Sequence, residues 1–406
     1  MSGGVGSGLV LERVEKSVGA ETHLHPIDLD LPAGSFTVLL GPTLAGKTSL
    51  LRLMAGLDRP SAGRILVGGR DVTGLDVRRR GDVAMVYQQF VNYPSFTVYE
   101  NIASPLRVAR RLDRAEIDRR VREVARLLQL DRLLDRRPSE LSGGQQQRTA
   151  LARALVKDAA LLLLDEPLVN LDYKLRESLR TEMRRLFGSE DGGSEGEGRV
   201  VVYASTEPAE ALQMGGRLAV MSQGRLLQEG PALDVYRRPA TVEVARIVSD
   251  PPMNLLQAEI VENRRGLWAA RLEDGFDVPL PPDLAGLAPG RRCILGLRPA
   301  HLGLSDADCS VGIPITLELA EVNGSETLLH GRTALGGVLI LLAPGVHRPG
   351  LGDSLLFRFN PERLFVFAED GALLRAPNPH AAPVTAGDGP LSSGGMEIRH
   401  GTHSAG

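Results

Sequence analysis

Three short stretches of the chain combine residue types and spacings suited to phosphate chemistry. The first is Gly41-Pro42-Thr43-Leu44-Ala45-Gly46-Lys47-Thr48-Ser49, which fits G-x-x-x-x-G-K-[ST]. Its glycines let the backbone fold so that N–H groups converge on phosphate oxygens. A helix opening there adds its positive dipole end. Lys47 is then placed to reach β- and γ-phosphates, and the Thr48 hydroxyl to ligate Mg²⁺. Alone, the string also fits a plain glycine-rich turn. The second stretch, Leu161 to Leu164, is apolar and ends in Asp165-Glu166. An aspartate at such a strand end suits Mg²⁺, and the neighbouring Glu166 can orient and deprotonate an attacking water. The plain alternative is helix capping at a strand end. The third is Leu141-Ser142-Gly143-Gly144-Gln145, leading through Arg148 into an Ala/Leu helix. That makes a second phosphate-binding helix N-terminus.

These residues need strands and helices to hold them. Phe36–Leu40 reads as a buried strand bounded by Gly34 and Gly41, and Leu50, Leu51, Leu53, Met54 and Leu57 recur at helical spacing. Ala159–Leu164 is a second buried strand, with Val200–Tyr203 and Leu218–Met221 as further ones. Strands alternating with helices predict an α/β domain with a mostly parallel sheet, over about residues 9–240. Residues 104–135 mix Arg with Asp and Glu around Leu and Val, as solvated helices do, and a helical subdomain is expected over about 90–155. Ser189–Gly198 is acidic and of low complexity, a flexible loop. Short strands with turn signals take over after about residue 240. Ile315–Val322, Asn323-Gly324 and Thr327–His330 form one set; Leu355–Phe359 and Leu364–Phe367 flank Asn360-Pro361. A small all-β barrel or sandwich over 241–375 fits this spacing. Residues 1–8 read as a disordered lead and 376–406, where His400 and His403 lie, as a disordered, solvated tail.

Composition narrows the classes. A chain of 406 residues suggests two or three domains. Acidic residues number 50 and basic ones 47, so nothing pulls the whole molecule toward nucleic acid or anionic lipid. With Cys293 and Cys309 as the two cysteines, neither a disulfide scaffold nor a Cys-rich metal site is expected. No apolar run reaches the roughly 18 residues of a membrane span, and the Gly/Ser-rich start is unlike a secretory signal. Any membrane role is therefore expected to run through a partner.

With three ordered stretches in hand, residues 9–240 resemble the ABC-transporter ATPase family. The resemblance implies a P-loop ABC ATPase domain with ATP and Mg²⁺ as cofactors. In that family the segment matching Ser142, Gly143, Gly144 and Gln145 binds the γ-phosphate of ATP held by the opposite subunit. Gln88 matches a glutamine that approaches Mg²⁺ and links the site to the membrane subunit. Asn170-Leu171-Asp172 matches a loop that crosses the dimer interface. Tyr87, Phe90, Tyr93, Phe96 and Tyr99 fall beside the groove that receives a cytoplasmic helix of the permease, and exposed aromatics suit docking, although each could equally pack a local core.

Two positions depart from the family pattern. A histidine usually follows the strand after the interface loop; here Thr206 stands in its place, and no His occurs between His25 and His301. Imidazole can donate to a γ-phosphate and carry positive charge, whereas a threonine hydroxyl is shorter and neutral. An aromatic ring usually stacks on adenine; Val18 occupies the expected place, with His23 as an alternative. Gly296-Leu297-Arg298-Pro299-Ala300-His301 resembles a segment of the OB-like regulatory domains of carbohydrate-importer ATPases. A nucleic-acid-binding OB-fold competes, but no aromatic-plus-basic platform supports it. GPTLAGKTSL, VYQQFVNYPSFTVYENIASPLR, LDYKLR and YASTEPAEAL look like one ATPase subunit of bacterial glycerol importers. That resemblance implies an ATP-hydrolysing subunit of an importer for glycerol or a related polyol or sugar. Its partners would be a second ATPase subunit (a different chain or a second copy), two permease subunits and, indirectly, a periplasmic solute-binding protein. It would sit on the cytoplasmic face of the inner membrane. The rival within the family is a regulatory subunit with a degenerate site beside a more active mate. A non-transport ABC ATPase acting on DNA or ribosomes would bring coiled-coil arms, paired cassettes or strongly basic patches, and none is found.

Overall fold

The computed structural model describes residues 8–80, 83–89, 91–157, 159–169, 171–187, 198–262, 268–284, 288–305 and 311–377. Residues 1–7, Phe90, Asn170, Ser189 to Glu197, Cys309 and everything from Asn378 onward lie outside the described residues, including His400 and His403. The chain divides into two compact units. The first runs to Met253 and takes back Phe367–Leu374; the second holds Asn254–Val366.

A six-stranded sheet organises the first unit, in the order Arg225–Pro231, Arg217–Ser222, Phe36–Leu40, Val200–Ser205, Leu161–Asp165, Val83–Val86. All neighbours are parallel except the outermost pair, Arg225–Pro231 against Arg217–Ser222. Both faces of the sheet are covered, which is why these strands read as continuous apolar runs. Successive side chains point to opposite faces. Val38, Leu40, Leu162, Leu164, Val201 and Tyr203 enter one core, while Leu39, Leu161, Leu163, Val200 and Val202 enter the other. Each fully buried leucine or valine contributes about 1.5–3 kcal/mol. Asp165 lies within its strand, paired with Ala204, one residue later than the apolar run alone indicates.

A second, four-stranded antiparallel sheet, ordered Glu21–Leu31, Leu9–Val18, Ala62–Val67, Arg70–Asp71, packs with the first unit. The sequence pattern from Leu9 is strand-like, and a strand does begin there, but the pattern does not announce a separate sheet. Register breaks between Leu11 and Val14 and between Val14 and Lys16 interrupt the two-residue alternation. Helices Val98–Ala109, Arg114–Leu127 and Gly143–Leu155 follow. Thr97 starts the first of them with a reciprocal cap: its hydroxyl accepts from Glu100 N at 3.2 Å, and the Glu100 carboxylate accepts from Thr97 N at 2.9 Å.

The chain leaves this unit at Met253 rather than near residue 240. Helices Ala232–Arg237 and Val242–Ile247 bury Ala232, Val235 and Val244 in the sheet's core. The returning segment bonds to the same stretch, Val242 N donating to Gly371 O and Leu373 N to Ala240 O, both at 2.9 Å.

The second unit is all-β, as the short strands suggest. One sheet is ordered Asp277–Pro279, Trp268–Leu272, Asn254–Glu262, Arg292–Leu297, followed by the strand that begins at Phe365. The other is ordered Leu302–Gly303, Ser354–Phe359, Val311–Val322, Glu326–Arg332, Val338–Pro344. They share a core that includes Ile313, Leu329, Phe357 and Phe359. Cys293 is buried there, and burial pushes its thiol up to about 11, which keeps it protonated and inert. Among the described residues, no helix is long and apolar enough to cross a membrane.

Candidate functional site

The glycine-rich loop joins the central strand Phe36–Leu40 to helix Lys47–Ala55, so it projects from the carboxyl end of the parallel sheet. Ligands of such sheets bind there. Gly46 stands just before the helix with φ +98°, and a Cβ would come within 2.7 Å of Leu24. Gly41 is as tightly placed, since a Cβ would meet Met221 O at 2.3 Å. Leu44 holds φ +68° without being glycine and points its side chain into solvent at 93% exposure.

The Lys47 ammonium is buried under this loop. It donates to Gly41 O at 2.7 Å and to Pro42 O at 3.0 Å, and lies 3.7 Å from Glu166 Oε1. Burial pulls its pKa down, and the carboxylates of Glu166 and Asp165 work against that pull. Thr48 Oγ1 donates to Asp165 Oδ1 at 3.2 Å. Asp165 is only 2% exposed, and burial raises its pKa above the usual carboxylate range, with the Thr48 bond opposing. Gln88 Nε2 donates to Glu166 Oε2 at 3.0 Å. Glu166 itself has φ +46°, unusual for a residue with a side chain, and its N–H donates to Ala204 O at 3.2 Å. Residues from four separate segments thus meet at one sheet end.

Lys47, Thr48, Gln88 and Glu166 line a groove of about 560 Å³ that also includes Thr43, Leu44, Ala45, Gly46 and Ser49 from the loop. Glu21, Thr22, His23, Gln223 and Gly224 complete its wall. His23 therefore borders the groove, whereas Val18, 54% exposed, is not among the lining residues. Gln223 and Gly224 were not anticipated. They form the turn between Arg217–Ser222 and Arg225–Pro231, and Gly224 N donates to Ala45 O at 3.0 Å. A Gly in a turn between two strands was the only signal in the sequence.

Ser142 caps helix Gly143–Leu155. Its N–H donates to Gln145 Oε1 at 2.9 Å, and its hydroxyl accepts from Gln145 N. Ser142 and Gly143 are exposed, and the groove around Lys47 draws no lining residue from 142–145. Thr206 is exposed just past the strand Val200–Ser205 and borders a small crevice with Glu166, Arg176 and Glu207. The aromatics divide. Tyr87, Tyr93 and Phe96 are exposed, and Tyr99 packs against the core. Tyr93 and Phe96 pack with their rings tilted at 59° and centroids 5.4 Å apart, with Arg153 over Tyr93 at 4.8 Å. They line a second groove, of about 510 Å³, together with Met85, Pro105, Val108 and Lys157.

Comparison with known proteins agrees with this arrangement. Residues 24–169 match the ABC transporter family, 250–302 the MalK OB fold domain and 295–367 the TOBE domain. The sn-glycerol-3-phosphate import ATP-binding protein UgpC of Salmonella typhi is 38% identical over 362 residues, covering 89% of this chain and 98% of that one. Its namesake in Burkholderia pseudomallei (strain 1710b) is 40% identical over 351 residues, covering 86% and 93%. The Escherichia coli (strain K12) protein of that name is 38% identical over 362 residues. Such likeness over nearly the whole length of those relatives, with the loop and carboxylates assembled at one sheet end, means that this chain belongs to the ATP-binding subunits of the ABC transporter family, with MalK-type OB and TOBE domains.

Proposed function

We propose that this chain binds and hydrolyses ATP to drive import of glycerol 3-phosphate or a related polyol or sugar across a bacterial inner membrane. The observation that carries the reading is the meeting of Lys47, Thr48, Gln88 and Glu166 around one groove at the sheet's carboxyl end, with the buried Asp165 bonded to Thr48. That the relatives are sn-glycerol-3-phosphate import ATP-binding proteins supports the phosphate ester as the polyol. The loop N–H groups and Lys47 hold the phosphates; Gly41, Pro42, Thr43, Leu44, Ala45, Gly46, Lys47, Thr48 and Ser49 form that cradle. His23 lines the groove and Val18 does not, which supports His23 as the side chain that meets the base.

The donor set also suits Mg²⁺: a buried carboxylate, a hydroxyl bonded to it and a side-chain amide are all oxygen-bearing groups. Thr48, Gln88 and Asp165 would hold the ion, which neutralises charge on the transferring phosphoryl group when bound. Glu166 is the base that readies water, with Gln88 fixing its carboxylate. Thr206, at the edge of the same crevice, offers a neutral donor toward the γ-phosphate. Catalysis is then positioning plus electrostatics.

Ser142, Gly143, Gly144 and Gln145 present their helix N-terminus to the nucleotide of a second ATPase subunit, because their own groove does not include them. The aromatic groove of Tyr93 and Phe96 receives a permease helix, so the chain reaches the membrane only through its partners, on the cytoplasmic face. The test is solute-stimulated phosphate release by this chain assembled with its permeases. Lys47→Ala should abolish this chain's share of it and its nucleotide binding. Unchanged release and binding in Lys47→Ala would overturn the reading.

A further inference from the structure

The first unit contains a chain of buried and half-buried ion pairs that the phosphate chemistry does not use. Arg176, on helix Tyr173–Phe187, reaches in two directions. Its Nη1 donates to Glu207 Oε1 at 2.9 Å. Its Nη2 faces the carbonyls of Val169 and Leu171 at 3.3 and 3.5 Å. Glu207 belongs to the turn that carries Thr206, and its N–H donates to Ser205 Oγ at 3.0 Å. Val169 in turn donates its N–H to Glu166 O at 3.4 Å. One guanidinium thus ties the segment after the acidic strand to the turn after the next strand. The catalytic carboxylate and Thr206 lie at the two ends of that connection.

The fork geometry matters. A guanidinium carries five donors in a rigid plane and can serve a carboxylate and backbone carbonyls at once, which a single ammonium cannot match. The turn is also backed from beneath. Ser205 and Tyr203 both donate to the buried Glu210, and Arg180 lies 3.6 Å from both Glu210 and Glu207. Glu207 therefore stands between two arginines on a braced base, so its position is defined before Arg176 engages it.

We infer that Arg176 and Glu207 form a positioning latch that sets where Glu166 and Thr206 stand relative to each other, and so governs turnover without touching nucleotide. The inference rests on the ATPase reading above. Misplacement of about 1 Å can cost on the order of a hundredfold in rate, so the latch acts on kcat.

The experiment uses the full chain assembled with its permeases and compares Arg176→Gln, Arg176→Lys, Glu207→Gln and the double variant Arg176→Gln/Glu207→Gln. We expect kcat for phosphate release to fall on the order of tenfold in each single variant, with KM for ATP unchanged. The double variant should be no slower than Arg176→Gln alone, since each change breaks the same link. Arg176→Lys should fail to restore the rate, because one ammonium cannot hold both partners. A kcat equal to the parent's in Arg176→Gln would overturn the latch. So would additive losses in the double variant, or a KM that rises in step with the loss of kcat. Thermal midpoints measured alongside separate a structural role: a rate loss that vanishes at a lower temperature where all variants are folded would also overturn it. If the parent complex itself releases no phosphate, the ATPase reading fails and not the latch.

Discussion

Replacing Glu166 by glutamine tests the chemistry most directly. The carboxylate lies 3.0 Å from Gln88 Nε2 and 3.7 Å from Lys47 Nζ. Glutamine has the same length, and its amide oxygen can still accept from Gln88, so the groove should keep its shape. What it loses is the ability to take a proton from water. General-base contributions run to about 10²–10⁴-fold, equivalent to roughly 2.7–5.4 kcal/mol at 1.36 kcal/mol per tenfold. The change also removes one of two carboxylates that hold the pKa of Lys47 up against burial. Asp165 remains, and a bound triphosphate adds more negative charge, so Lys47 stays protonated in the complex and ATP affinity should hold within about threefold. The assay is phosphate release by the assembled transporter at saturating ATP, with retained nucleotide counted after separation. Lys47→Ala in the same complex supplies the rate left when this site is silent. Glu166→Gln should match that rate while retaining nucleotide that Lys47→Ala does not. Release at the parent rate would remove Glu166 from its role.

Three further outcomes follow from the same geometry. Asp165→Asn should raise the thermal midpoint without nucleotide at pH 7 while weakening Mg²⁺-dependent ATP binding. The native carboxyl has a raised pKa, so its stability contribution is lost as pH rises through that value, and the difference between variant and parent should shrink on acidification. His301 is pushed down to about 4, chiefly by burial and then by the charges of Arg298 and Arg363, so the fold holds it neutral. Stability from that group is present above its ordinary value near 6.5 and is lost as pH falls toward 4; taking pH 7 to pH 5 should cost about 2 kcal/mol, and His301→Gln should flatten that part of a denaturation series. Thr206→His, which places an imidazole at the edge of the Glu166 crevice, should change kcat of the complex with little change in ATP affinity; identical rates across ATP concentrations would show that the position does not bear on turnover.

The sequence made the loop and carboxylates of the candidate site legible because their chemistry is local. Gly41 to Thr48 and Leu161 to Glu166 each carry their own context, a strand running into a turn. The parallel strands were equally plain, since a sheet covered on both sides needs unbroken apolar runs. The strand from Leu9 was legible too, but its pairing into an antiparallel sheet was hidden by register breaks that spoil alternation around Val14. Gln223 and Gly224 escaped notice because a wall supplied by a distant hairpin turn leaves no spacing to read. Arg176 and Glu207 are ordinary charged residues in the sequence; only folding brings them within 2.9 Å. The unit boundary was misplaced for a similar reason. The change to short strands is real, but helix Val242–Ile247 is too brief to stand out, and the return of Phe367–Leu374 is a long-range pairing that composition does not record.

That return has a practical meaning for anyone cutting the gene. A stop after Met253 removes eight residues of the nucleotide-binding unit along with the second unit. Val242 N and Ala240 O would lose the partners they have in Gly371 and Leu373, and the bridge from Thr241 to Ala372 would vanish. A shortened ATPase should therefore be built with residues 367–374 rejoined through a linker, and the plain truncation is the version to expect in the insoluble fraction.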